Sequence, residues 1–309
     1  MALLEMKDWL NDPEKLKHLS KLYPSDVIER AQNISKFCPS IGAYSASNGL
    51  YAVRKAVAEF IERRDCGHPS DPDNIYLTNG ASEGITRVMN AIISHDNVGV
   101  MIPVPQYPLY TATLAMLNGK AVEYYLDEST GWSLKLSELE RSLIEGREKG
   151  IEIRALVLIN PGNPTGSILT EQNLKELIKF CRDERLIILA DEVYQENIYE
   201  PETKPFKSVK SVLKELGPEY YEAVELISFH STSKGLLGEC GRRGGYFECY
   251  GLDQNVMNQL FKVASVSLCS NLMGQIMVSL MVDPPKPGDE SYETYSQERQ
   301  SIWGKTRSA

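Results

Sequence analysis

Apolar residues along this chain switch between two spacings. Leu50, Val53, Val57, Phe60 and Ile61 recur at three- and four-residue intervals, which predicts a helix with one buried face over Leu50–Arg64. Ile85, Val88, Met89, Ile92 and Ile93 repeat the pattern and predict a second helix, starting just after Gly80-Ala81-Ser82. Short apolar runs stand at Ile75–Leu77, Val98–Ile102, Ala121–Leu126, Ala155–Ile159, Leu186–Ala190 and Glu225–Phe229, and read as strands. A helical pattern at Leu174, Leu177, Ile178 and Cys181 separates two of them. Strands alternating with helices predict an α/β fold, a mostly parallel sheet sandwiched by helices. In such sheets, ligands bind outside the carboxyl ends of the strands. Beyond Gly251, residues 254–281 read as one helix, Pro284, Pro285 and Pro287 break the chain, and residues 289–303 start another helix. Residues 1–40 are mixed and are interrupted by Pro13, Pro24 and Pro39.

Composition narrows the class without naming it. The 309 residues are 42% hydrophobic and 24% charged, an ordinary globular balance that excludes wholesale disorder. A net charge of −9 makes a nucleic-acid backbone a poor partner. No apolar run is long enough to span a membrane. The first ten residues are too short and too acidic for a signal peptide, and wrong for an Arg-rich transit peptide. The six cysteines form no C-x-x-C pair, so no metal site is expected, and their scatter fits thiols in a reducing compartment. A cytoplasmic location is the expectation; an organellar one stays open where the native N-terminus lies further upstream.

Candidate chemistry collects where the strands end. Asp191, in Leu189-Ala190-Asp191-Glu192-Val193-Tyr194, closes an apolar strand, where burying an acid is costly unless it meets a cation. Its plain reading is a helix cap or loop ion pair. Asn160-Pro161-Gly162-Asn163-Pro164-Thr165-Gly166 follows another strand as a rigid turn that carries two Asn side chains. Gly80-Ala81-Ser82 opens a helix and offers either an anion seat or a simple Ser cap. It is no Walker loop, since no Gly-Lys-Ser/Thr follows. Ser231-Thr232-Ser233-Lys234-Gly235 follows the strand that ends at Phe229. Its lysine has the chemistry of a Schiff-base nucleophile, although a lone lysine is ordinarily a solvated charge. Gly241-Arg242-Arg243-Gly244-Gly245 offers a guanidinium fork for phosphate, and Tyr107, in Pro105-Gln106-Tyr107-Pro108, an aromatic face.

Jointly these features match what pyridoxal phosphate needs: a phosphate cup, a ring stack, a partner for the ring nitrogen and an amine for the aldehyde. The chain resembles the class I/II aminotransferases of pyridoxal-phosphate fold type I, and within them the alanine aminotransferase branch. The runs that carry the resemblance are Gly42-Ala43-Tyr44-Ser45, Pro105 to Tyr110, Asn160 to Gly166, Ala190 to Gln195, and Ser231 to Lys234 leading into Gly238-Glu239-Cys240-Gly241. The similarity as a whole extends from about Ile41 to about Ile302.

The resemblance implies that Lys234 bonds the cofactor's aldehyde and then shuttles a proton as a general acid–base. It implies that Asp191 pairs with the ring nitrogen, and that Asn163 and Tyr194 hydrogen-bond the ring's phenolic oxygen. Tyr107 would stack on the ring. The Ala81 N–H, Ser82, Ser231, Arg243 and, more weakly, Ser233 would hold the phosphate, with Arg243 in better register than Arg242. Tyr44 would reach the phosphate of a neighbouring subunit, which implies a homodimer. The implied reaction moves an amino group between L-alanine and 2-oxoglutarate; glutamate–glyoxylate transamination is the alternative. The implied partners are small amino acids and 2-oxo acids.

The implied architecture is a seven-stranded large domain over residues 41–285. An N-terminal segment, 1–40, precedes it, and 286–309 begin a small C-terminal domain that is otherwise missing. That domain supplies the arginine that clamps the substrate carboxylate in the family, and no residue here is a candidate for it. A fragment that binds cofactor or dimerises without turning over is therefore a further alternative.

Overall fold

The computed structural model describes residues 2–236 and 238–307. Four short helices lead the chain: α1 (Ala2–Glu5), α2 (Lys7–Leu10), α3 (Pro13–Leu19) and α4 (Ser25–Phe37). Then come α5 (Tyr51–Arg64), β1 (Ile75–Thr78), α6 (Ala81–Ile92), β2 (Val98–Val104), α7 (Leu109–Met116), β3 (Lys120–Tyr125), α8 (Leu136–Glu148), β4 (Glu152–Ile159), α9 (Glu171–Glu184) and β5 (Ile187–Asp191). The remainder is α10 (Val209–Glu215), α11 (Pro218–Tyr221), β6 (Leu226–Ser231), β7 (Gly245–Tyr250), α12 (Gln254–Val266), α13 (Leu272–Val282) and α14 (Tyr292–Arg307).

The seven strands form one sheet in the order β1-β7-β6-β5-β4-β2-β3. Neighbours are parallel except β7, which runs against both β1 and β6. Alternating side chains feed two cores, one on each face. Val157, Ile159 and Leu189 meet α6, α7 and α12 on one face, while Leu156, Leu158 and Ile188 meet α8, α9 and α10 on the other. This two-sided burial explains why the central strands read as unbroken apolar runs. The edge strand β3 buries only Val122 and Tyr124 and leaves Lys120, Glu123 and Tyr125 exposed. A charged, one-sided edge of this kind discourages pairing with another sheet.

Three local readings are corrected. Residues 254–281 do not form one helix: α12 ends at Val266 and α13 starts at Leu272. Leu268 turns into the left-handed region, and Asn271 restarts the helix by accepting the Gly274 N–H at 2.6 Å. Strand β7 was hidden because Glu248 sits mid-run; it is buried and paired with Lys210 at 2.6 Å. The mixed residues 1–40 are mostly helical, and Leu3, Leu10, Leu19, Ile28 and Ile34 share a core with Leu272 and Ile276 of α13. Among the described residues no helix is long and apolar enough to cross a membrane.

Candidate active site

Register brings the strand ends together. Ile159 of β4 pairs with Asp191 of β5, and Asp191 with Phe229 of β6. The loops that follow these strands therefore open at one level. Because β7 is antiparallel, its start lies where the other strands end: Gly245 pairs with Ser231 on one side and Thr78 on the other. That pairing carries Arg243 to the mouth of the β1–α6 turn. The turn passes through Gly80 at φ +83°, where an added Cβ would also strike the Arg243 guanidinium.

A cavity of about 260 Å³ lies at this edge. Ala81, Ser82, Tyr107, Asn163, Asp191, Tyr194, Ser231, Ser233, Lys234 and Arg243 all line it. Tyr44 does not; it is 80% exposed, on a loop pinned by Ser45, whose Oγ accepts from Gln275 Nε2 at 3.0 Å. Arg242 also lies outside the cavity and faces Glu239 at 3.8 Å. The two Asn residues of the Pro-Gly turn part company. Asn160 is buried and its Oδ1 accepts the Leu169 N–H at 3.0 Å, closing the turn. Asn163 Nδ2 donates to the Tyr194 hydroxyl at 3.0 Å on the cavity side.

At one end of the cavity, the first N–H groups of α6 have no partner within the helix. Beside them Arg243 is held in place, donating to Asn79 O at 2.9 Å and Cys240 O at 3.0 Å. The break before α13 supports the same corner, because Asn271 Nδ2 donates to Asn79 Oδ1 at 2.7 Å and to Arg243 O at 3.1 Å. Ser231 Oγ donates to Gly244 O at 3.2 Å and accepts the Ser233 N–H at 3.1 Å. At the other end, Asp191 is 6% exposed, and burial pushes its carboxyl above the usual range. Tyr110 donates to its Oδ2 at 2.7 Å, and this bond, the Val193 N–H and the charge of Lys234 all oppose that rise. Lys234 Nζ stands 5.1 Å from the centre of the Tyr194 ring.

Tyr110, Asn79 and Asn271 were missed as site residues, although Tyr110 sits in a run already quoted. Tyr110 lies 81 residues from Asp191 along the chain, and nothing local to either links them. Ile85, Ile159 and Val193 also line the cavity as apolar walls, and in the sequence they read only as core. Lys234 borders a second, mostly apolar cavity of about 270 Å³, walled by α4, α13 and residues near Tyr295.

A family model for aminotransferases of class I and II matches residues 11–308. The chain belongs to that family. It is 50% identical over 303 residues to glutamate–glyoxylate aminotransferase 1 of Arabidopsis thaliana, a match covering 98% of this chain and 62% of that protein. It is 49% identical over 304 residues to a probable mitochondrial alanine aminotransferase of Dictyostelium discoideum, covering 98% of this chain and 56% of that one. The chain thus spans less than two thirds of these aminotransferases. Among solved structures, an Escherichia coli aminotransferase superposes with a TM-score of 0.71 at 26% identity, covering 93% of this chain and 73% of that one. An alanine aminotransferase from Pyrococcus furiosus shares the fold, with a TM-score of 0.71 at 24% identity over 89% of this chain and 65% of that one.

Proposed function

We propose that the cavity binds pyridoxal 5′-phosphate and that the chain transaminates between L-alanine and 2-oxoglutarate, giving pyruvate and L-glutamate. The observation that carries this reading is the convergence of Arg243, Asp191, Asn163, Tyr194 and Lys234, from the three connections that follow β4, β5 and β6, on one cavity. The donor set fits the group. An anion cup of helix N–H groups, hydroxyls and a guanidinium lies at one end. A buried carboxylate lies at the other, and burial makes it short of a cation.

When bound, the cofactor supplies the electron sink that lets an amino acid's α-proton leave. Lys234 Nζ would hold the cofactor's aldehyde and would serve as the acid–base group that moves the proton at the substrate Cα. Asp191 keeps the ring nitrogen protonated, and Tyr110 keeps Asp191 charged. Asn163 and Tyr194 orient the ring oxygen, and Tyr107 covers a ring face. Ala81 N–H, Ser82, Ser231, Ser233 and Arg243 hold the phosphate. Of these, Arg243 contributes most, because a charge-assisted hydrogen bond gives roughly 1.5–3 kcal/mol, whereas a helix end gives about 0.3–1 kcal/mol.

A homodimer is part of the proposal. Tyr44 is exposed and stands away from its own cavity, free to reach a neighbour's phosphate. Phe261, Val266 and Leu268, at and just beyond α12, are exposed apolar side chains that a second copy would cover.

Glutamate–glyoxylate transamination is the second reading, favoured by the relative of that name at 50% identity. A cofactor-binding fragment is the third, favoured by the share of the relatives' length that the chain spans.

An absorbance scan with pyridoxal phosphate, before and after L-alanine, tests these readings. A near-visible band that converts on adding alanine supports transamination, and glyoxylate against 2-oxoglutarate as acceptor then separates the first two. A band that ignores alanine supports the fragment. No band removes the cofactor reading from this chain.

A further inference from the structure

Behind the turn that follows β5, on the side away from the cavity, lies a buried charged cluster that the proposed reaction does not use. Its centre is Arg64, the last residue of α5. Its Nε and Nη2 donate to the two carboxylate oxygens of Asp65 at 2.7 and 2.8 Å. Its Nη1 donates to Gln195 Oε1 at 3.0 Å and lies 3.5 Å from Glu192 Oε2. Glu192 Oε1 accepts the Val209 N–H at 2.8 Å, and Gln195 Nε2 donates to Glu192 O at 3.0 Å. Ser208 Oγ donates to the far side of the cluster, at Asp65 Oδ1, 2.7 Å away. Asp65, Glu192, Gln195 and Ser208 are all buried.

The residues held are the complement of the residues used. Asp191 and Tyr194 face the cavity, while Glu192 and Gln195, from the same five-residue stretch, face Arg64. Past Asp191 the chain leaves the sheet and forms a turn. Backbone bonds tie the start of the turn to β6, the Glu192 N–H donating to Phe229 O at 3.1 Å, and close it, the Gln195 N–H donating to Glu192 O at 3.0 Å. The side chains of Glu192 and Gln195 add a second anchor, to Arg64 at the end of α5. A buried ion cluster is a poor way to gain stability, since apolar packing of the same volume serves as well or better. One guanidinium shared by two carboxylates and an amide is, however, a good way to fix geometry, because its donors form a rigid planar fork.

We propose that Arg64 is a positioning residue for the cofactor site: through Glu192 and Gln195 it fixes the turn that presents Asp191 and Tyr194. The inference rests on the cofactor reading above.

Three variants of the full chain test it: Arg64→Met, Gln195→Leu and, as a control, Ser208→Ala. Each is measured for melting temperature, for pyridoxal phosphate affinity, and for the pH midpoint of the near-visible band. Arg64→Met and Gln195→Leu should weaken cofactor affinity by about tenfold, equivalent to about 1.4 kcal/mol. They should also move the band's pH midpoint by roughly half a unit. Ser208→Ala removes the bond to Asp65 and the α10 cap to the Ser211 N–H but no side-chain contact of Arg64, Glu192 or Gln195, so it should lower the melting temperature and leave affinity and midpoint unchanged. If all three variants lower the melting temperature and none changes affinity or midpoint, the cluster is structural and the proposal is wrong. Should Arg64→Met fail to fold, Gln195→Leu decides alone. If the unaltered chain gives no band, the cofactor reading itself fails and takes this inference with it.

Discussion

Replacing Tyr110 with Phe tests how Asp191 is kept charged. Tyr110 is fully buried and its ring packs in the core beside α6. Its hydroxyl donates to Asp191 Oδ2 at 2.7 Å. Phe keeps the ring and its packing, so the loss is confined to that hydrogen bond. Burial raises the Asp191 carboxyl, and the Tyr110 bond is the strongest influence pulling it back down. A hydrogen bond to a charged group contributes roughly 1.5–3 kcal/mol. Its loss lets burial push the carboxyl further up. In the variant Asp191 would keep its proton to higher pH and would meet a cationic ring nitrogen as a neutral acid across that window. Titration with pyridoxal phosphate, followed by absorbance from mildly acidic to alkaline pH, measures this. Affinity should fall about ten- to a hundredfold at the lower end and recover as pH rises. Identical affinity and pH dependence in parent and variant would refute the reasoning. A loss that is uniform across pH would instead make Tyr110 a packing residue.

Other outcomes follow from the same geometry. Lys234→Ala should abolish the near-visible band while leaving the fold intact by circular dichroism, since among the described residues no other lysine lines the cavity. Arg243→Ala should weaken cofactor affinity by about tenfold or more, and Ser82→Ala by much less; equal effects in a binding titration would remove Arg243 from the phosphate cup. Burial holds the Glu192 carboxyl up to about 7, so between its ordinary range and that value the folded chain keeps a proton that the unfolded chain has released. Stability therefore falls as pH rises through that window, by on the order of 3 kcal/mol. Glu192→Gln should remove that fall in urea unfolding at either end of the window. Taking the difference from the parent isolates it from His230, whose burial as a neutral ring pulls its pKa down to about 3 and so costs stability as pH falls.

Much of the fold could be read along the chain because its physics is local. The strands β2, β4, β5 and β6 are buried on both faces and so appear as unbroken apolar runs. The helices α5, α6 and α9 each bury one face and so show a helical period. What disguised β7 was a buried charge, Glu248, whose partner Lys210 lies 38 residues away. What disguised the break between α12 and α13 was Asn271, whose reason for capping there is a contact with Asn79, 192 residues away.

The candidate site divides along the same line. Sequence alone singled out the candidate residues, because a strand-end Asp, a turn with two Asn and a Lys among hydroxyls each stand out within a few positions. The turn's own residues left Asn163, which meets Tyr194, and Asn160, which closes the turn, alike, and it was the family resemblance that pointed to Asn163. Only the tertiary structure decided how these residues meet. Parallel register levels the ends of β4, β5 and β6, and the reversed direction of β7 carries Arg243 back to the start of α6. Burial then sets Tyr110 against Asp191 on one side and Arg64 against Glu192 on the other. A chain can display its donors and acceptors in order, but which of them are desolvated together depends on packing between distant segments, and that desolvation gives a buried carboxylate its need for a partner.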